Sequence, residues 1–85
     1  MPWQIEWSDE AVRDITSLEK DVAERIIKKL DQVVTDPYRY FERIVGSDEF
    51  KLRVGDYRVI VLLANNSKII FIKKAGHRKN VYKKK

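Results

Sequence analysis

The chain has 85 residues, 44% of them hydrophobic, with no cysteine and with 18 Lys and Arg against 13 Asp and Glu, a net charge of +5. That suffices for one small domain over residues 1–85 and is too apolar for a disordered tail. Disulfides and thiolate zinc sites are excluded, the cytoplasm is the expected compartment, no apolar run approaches the ~18 residues of a membrane span, and Met1–Glu6 lacks the basic-then-apolar pattern of a signal peptide.

Trp3, Ile5 and Trp7 alternate with Gln4 and Glu6, the period of a short strand. Ser8 stands where a helix cap belongs, with Asp9 and Glu10 in the first turn and Ala11, Val12, Ile15 and Leu18 at helical spacing. Asp21 followed by Glu24 reads as a capping pair that opens a second helix. The stripe of that helix is Val22, Ile26, Leu30 and Val33, widened by Ala23, Ile27 and Val34. Thr35-Asp36-Pro37 ends it, because Pro disfavours helical geometry in the residue before it. Residues 36–49 read as irregular. Phe50, Leu52 and Val54 alternate with Lys51 and Arg53 as a strand, and Gly55-Asp56 is a two-residue hairpin turn. Tyr57–Leu63 is nearly continuously apolar, as in a strand covered on both faces. Asn65-Asn66 is a second turn, Lys68–Lys74 a last strand, and Gly76 breaks the pattern. The expected fold class is α+β, a helical hairpin packed on one face of a small, mainly antiparallel four-stranded sheet.

Pairing the strands through these two turns sets Arg53 opposite Arg58 and Arg58 opposite Lys73. Side chains alternate between faces, so Phe50, Leu52, Val54, Tyr57, Val59, Val61, Leu63, Ile70 and Ile72 are expected to meet the helices. The opposite face then carries a row of Arg53, Arg58 and Lys73 with Lys51 beside it, together with Ile60, Leu62, Ile69 and Phe71, which need a cover from a partner or a loop of the same chain. Like charges directly opposite each other cost roughly 0.2–1 kcal/mol per pair, so the row reads as a site for an anion, most simply a phosphate. The charge distribution agrees. Residues 38–85 hold thirteen bases and four acids, and from Lys68 onward there are eight bases and no acid. Such a half attracts nucleic acid or acidic protein, the more weakly the higher the salt.

One histidine and no tight carboxylate cluster leave no metal site, and acyl chemistry has no nucleophile in a fitting setting. Cleavage of RNA needs neither metal nor cofactor, because the 2′-hydroxyl is the nucleophile and the protein must orient it, stabilise charge on phosphorus and move two protons. Arginine suits the phosphate, since its planar fork donates two parallel hydrogen bonds. His77 is the one side chain of a type that titrates near neutrality, a lysine crowded by like charges is another base, and Tyr82 has a ring on which a base can stack.

Phe50-Lys51-Leu52-Arg53, Gly55-Asp56-Tyr57-Arg58-Val59 and Gly76-His77-Arg78-Lys79-Asn80-Val81-Tyr82 together resemble the RelE branch of the RelE/ParE toxin superfamily, over nearly the whole chain. The resemblance implies a RelE-like domain that is the toxin of a type II toxin–antitoxin system. It implies an endoribonuclease that cleaves mRNA in the ribosomal A site and inhibits translation, with a RelB-like antitoxin and the mRNA-bearing ribosome as partners. It further implies that Lys51 acts as base or charge stabiliser, that Arg58 binds the phosphate, that Arg78 stabilises the transition state or leaving group, and that Tyr82 stacks on the substrate base. Three departures matter. Glu49 stands where some members have a second lysine and is itself a candidate base, Tyr82 follows Arg78 at shorter spacing than in some members, and His77 replaces a lysine and is a candidate for proton transfer. Arg53, Lys73, Lys74, Lys79 and Lys83 make up the expected RNA-binding set. The alternatives within and beyond the superfamily are a ParE-like inhibitor of a DNA topoisomerase and a non-catalytic RNA-binding module.

Overall fold

A computed structural model describes residues 2–81. Its elements are β1 (Gln4–Trp7), α1 (Asp9–Ser17), α2 (Lys20–Val33), α3 (Pro37–Tyr40), β2 (Glu42–Arg43), β3 (Phe50–Val54), β4 (Tyr57–Ala64) and β5 (Ile69–His77). The strands form one sheet in the order β1-β5-β4-β3-β2, antiparallel throughout except for the parallel pair β1–β5. Helices cover one face, so the architecture is the expected α+β one. Among the described residues, no helix is long and apolar enough to cross a membrane.

Ser8 opens α1 as its sequence implies, its Oγ accepting the Ala11 N–H at 3.0 Å. Leu18 and Glu19 are extended and separate the two long helices. The Asp21–Glu24 pair does not cap α2. The helix starts at Lys20 behind Glu19, which makes no side-chain cap bond. Residues 36–49 are more regular than expected. Pro37 starts α3, where its fixed φ fits and its missing N–H is no loss, and β2 makes the sheet five-stranded rather than four-stranded. Two residues are too few for a period-two pattern to register in the sequence.

The core lies between α1, α2 and the inner sheet face. Ala11, Val22, Ile26, Leu30 and Val33 meet Leu52, Val59, Val61, Ile70 and Ile72, none more than 8% exposed. Val12 and Ile27, expected to widen the helix stripes, are each 45% exposed. A helix lying on a sheet buries only the arc that faces it.

The β3–β4 hairpin has the predicted register, Val54 facing Tyr57 and Arg53 facing Arg58. The β4–β5 hairpin does not. Its strands close at Ala64 and Ile69, so four residues form the loop, with Lys68 left-handed at φ 57°. A β-bulge then shifts the pairing: Val61 faces Ile72, but Ile60 faces Lys74, which leaves Lys73 as the extra residue. Arg58 therefore faces Gly76 instead of Lys73, and β5 continues beyond Lys74, through Gly76, to His77.

α1 supports this bulge. β1 pairs with β5 only as far as Ile72. From there α1 and its cap supply the partners: the Ser8 N–H donates to the Ile72 carbonyl (2.9 Å), the Ser8 hydroxyl donates to the Lys73 carbonyl (2.7 Å), and the Ala75 N–H donates to Asp14 Oδ2 (3.0 Å). Main-chain groups that no strand reaches are thus satisfied from the helix side.

Candidate functional site

The site is built around the β3–β4 turn. Gly55 has φ 60° and Asp56 does not have positive φ, the arrangement of a glycine-first two-residue hairpin whose twist matches its strands. The turn's carbonyls then hold two arginines. The Gly55 and Tyr57 carbonyls accept from Arg58 Nη1 at 3.1 and 3.0 Å, and the Asp56 carbonyl accepts the Arg78 N–H at 2.8 Å. With Nη1 so occupied, Arg58 keeps its Nε–H and both Nη2–H donors, the edge that grips a phosphate with two parallel bonds. Arg53 lies directly across from Arg58. Arg78 directly follows His77, the last residue of β5, and opens the turn over residues 78–81.

This makes the turn a point of leverage. Gly55→Ala should cost about 1–2 kcal/mol, because an L-residue is strained at this φ. The added Cβ would meet only Arg25 Nη1, at 3.8 Å, an ordinary van der Waals distance. Thermal unfolding measures the loss, and an unchanged melting temperature would contradict it.

The next row holds Lys51, Ile60 and Lys74 on three neighbouring strands. The bulge thus brings Lys74 to the cationic face one row from Arg58, while Gly76 takes the place opposite Arg58 that the sequence assigned to Lys73. Lys73 instead forms a close ion pair with Glu49, both side chains being partly buried. Lys51 Nζ stands 4.0 Å from Glu42 Oε1 on the short strand β2. Among the described residues, Arg53, Arg58, Lys74, Arg78 and Lys79 have no ion-pair partner.

His77 lies at the cationic end of the sheet but on its inner side. It pairs with Tyr57 in register, the two rings meet edge to face at 5.4 Å, and its Nδ1 accepts the Lys79 N–H at 3.1 Å. Its carbonyl accepts the N–H groups of Asn80 (2.8 Å) and Val81 (2.9 Å), forming a turn that seats Val81 over Gly76, beside Arg58 on the outer face. The chain itself covers part of the apolar outer face. Ile60 is 1% exposed and Val81 6%, both apart from the main core, whereas Leu62, Ile69 and Phe71 are half-buried. Tyr82 and Lys83 lie outside the described residues.

The structure therefore brings Lys51, Arg53, Arg58 and Lys74 to one face, with the Glu49–Lys73 pair beside them, ties the Arg78 main chain to the turn next to Arg58, and sets His77 behind the sheet. Sequence reasoning misses the role of the Asp56 carbonyl, since a main-chain acceptor leaves no trace in residue type. Chemically, the arrangement is a cluster of cations, one of them held by main-chain carbonyls, over a small apolar floor, suited to a phosphodiester.

A family model described as the ParE toxin of type II toxin–antitoxin systems matches residues 5–82. No curated protein matches the chain. Among solved structures, the fold resembles the Mycobacterium tuberculosis toxin–antitoxin complex RelBE2 (TM-score 0.83, 20% identity, 92% of this chain and 100% of that one). It resembles the Pyrococcus horikoshii RelE–RelB complex (0.75, 25%, 95% and 100%) and an arginine-substituted E. coli toxin RelE in the free state (0.78, 23%, 95% and 88%).

Proposed function

The chain belongs to the RelE/ParE toxin superfamily of type II toxin–antitoxin systems, on its RelE side, and from that premise we propose that it is a ribosome-dependent endoribonuclease that cuts mRNA in the A site. The observation that carries this reading is the pair of turn-anchored arginines, Arg58 and Arg78, over an otherwise cationic face. In the reaction the 2′-oxygen attacks the adjacent phosphorus, the P–O5′ bond breaks, and the products are a 2′,3′-cyclic phosphate and a 5′-hydroxyl. The 2′-hydroxyl gives up one proton and the leaving 5′-oxygen takes one.

Arg58 holds the non-bridging oxygens through its free edge, and Arg78 neutralises the charge that develops on phosphorus or on the leaving oxygen. Lys51 and the Glu49–Lys73 pair are the groups on this face for proton transfer. Carboxylate and ammonium held together offer an acceptor and a donor side by side. In this reading His77 shapes the turn that presents Arg78, and Tyr82 and Lys83 continue the RNA contact. An antitoxin of opposite charge, RelB-like as in the complexes above, masks the cationic face in the cytoplasm, and no metal or cofactor enters the reaction.

Incubating the protein with a defined mRNA, free and on programmed ribosomes, tests this directly. The expected result is cuts on ribosomes only, with cyclic phosphate at the new 3′ ends. Binding without cuts would leave a non-catalytic RNA-binding module. The second reading is a ParE-like inhibitor of a DNA topoisomerase, the family model being described as a ParE toxin; that activity needs no phosphate-handling centre.

A further inference from the structure

A cleft of about 340 Å³ separates the outer side of α2 from the end of β3, lined by Arg25, Lys28, Lys29, Gln32, Arg53, Val54 and Gly55. Four of these residues are cations and none is an acid. The helix residues recur at the three- and four-residue spacings of a single helix face, where like charges destabilise an isolated helix. Asp21 and Glu24 stand one turn before Arg25 and Lys28, the favourable order for ion pairs. Yet among the described residues none of the three helix bases is paired with an acid. Lys29 Nζ instead lies 5.1 Å from the centre of the Tyr40 ring, giving the cleft an aromatic flank.

Arg53 connects this cleft to the site above, because it lines the cleft and also faces Arg58 in the sheet. The basic surface therefore runs from Arg58 past Arg53 and round the edge of the sheet to α2. We propose that the α2–β3 cleft is a second phosphate-binding site, which grips the sugar–phosphate backbone of RNA at a distance from the bond that is cut. The inference rests on the nuclease reading for the identity of the ligand and adds to it an anchoring site outside the reacting centre. Cations that follow one continuous path suit the regularly spaced charges of a phosphodiester chain, and each phosphate they neutralise releases counterions. Two linked grips on one strand also raise the effective concentration of the scissile segment at Arg58.

The test is the double variant Arg25→Gln/Lys28→Gln in the full chain. Lys29 is left in place because it packs on Tyr40, and Arg53 because it belongs to the site. The probe is a 2′-O-methyl RNA single strand, which cannot be cut, so binding is read separately from chemistry. Its affinity is measured by fluorescence anisotropy over a salt series. The expected result is weaker binding and a slope of log K against log salt shallower by about 1.4, because two phosphates are no longer neutralised, at ~0.7 each on single-stranded nucleic acid. The charge-conserving variant Arg25→Lys/Lys28→Arg should keep the wild-type slope, which guards against a folding artefact. An unchanged slope in the Gln variant would overturn the proposal. So would unchanged RNA binding with lost affinity for a poly-glutamate peptide, which would assign the cleft to an acidic protein segment. Should the wild type bind the probe through the cleft yet never cut RNA, the nuclease reading fails and the cleft's grip on RNA stands.

Discussion

Arg58→Ala should lower the rate of RNA cleavage by on the order of 10²–10³-fold, the usual cost of removing one preorganised donor to a developing oxyanion. The residue is suited to this because its Nη1 is already held by the Gly55 and Tyr57 carbonyls, so its other edge is aimed before substrate arrives. Arg58→Lys should recover only part of the loss, since an ammonium keeps the charge without the fork. Arg78→Ala should cost a similar factor. The double variant should lose less than the product of the two, because the proposed mechanism sets both groups on the same phosphorus. Single-turnover cleavage on programmed ribosomes gives the factors. The substitutions should barely move the melting temperature, as Arg78 is exposed and the Arg58 guanidinium bonds only to local carbonyls. A wild-type rate in Arg58→Ala would remove it from the chemistry.

Asp14→Ala should destabilise the fold by about 1–3 kcal/mol, the cost of leaving a buried donor unpaired. The donor is the N–H of Ala75, a residue 5% exposed, and Asp14 Oδ2 is its partner across 61 residues of sequence. A chain of this size is stable by roughly 0.05–0.15 kcal/mol per residue, so the loss is a large share of the total. It should lower the melting temperature by roughly 4–8 °C for each kcal/mol lost. Asp14→Asn keeps an acceptor oxygen and should cost less. Because Asp14 and Ser8 hold the bulged backbone that sets Lys74 opposite Ile60 on the cationic face, the Ala variant should also weaken RNA binding below its melting transition. Equal stability of the wild type and Asp14→Ala would show that the bulge needs no such support.

Much of the molecule was legible from residue types alone. The alternation of Phe50–Val54, the Gly55-Asp56 turn and the helix stripes gave the β3–β4 register and the inner face, because local periodicity and turn chemistry agree there. The β4–β5 register was not legible. Asn65-Asn66 signals a turn without fixing its length, and the bulge at Lys73 depends on α1, which is distant in sequence. Without the bulge Lys73 faces Arg58; with it Gly76 does, and Lys74 faces Ile60 in the next row. The inner position of His77 is not legible for a related reason: Gly76 signals a strand end, whereas β5 runs on through it to His77. The α2 cleft left a signal in the spacing of Arg25, Lys28 and Lys29 that reads, within one helix, as a solvated face. Only the approach of β3 makes it a cleft.

Membership in a superfamily with two modes of toxicity makes the target the central question. Arg58 and Arg78, both bonded to carbonyls at one turn, and the cations around them that have no ion-pair partner among the described residues, favour RNA over a topoisomerase. The most direct measurement is to express the chain in cells without an antitoxin and to map the 5′ ends of several messages by primer extension, with and without a working start codon. Cuts should fall within codons of translated frames and disappear when translation of that message is blocked. Intact messages, together with DNA breaks trapped on topoisomerase in cells that the chain still kills, would contradict the nuclease reading.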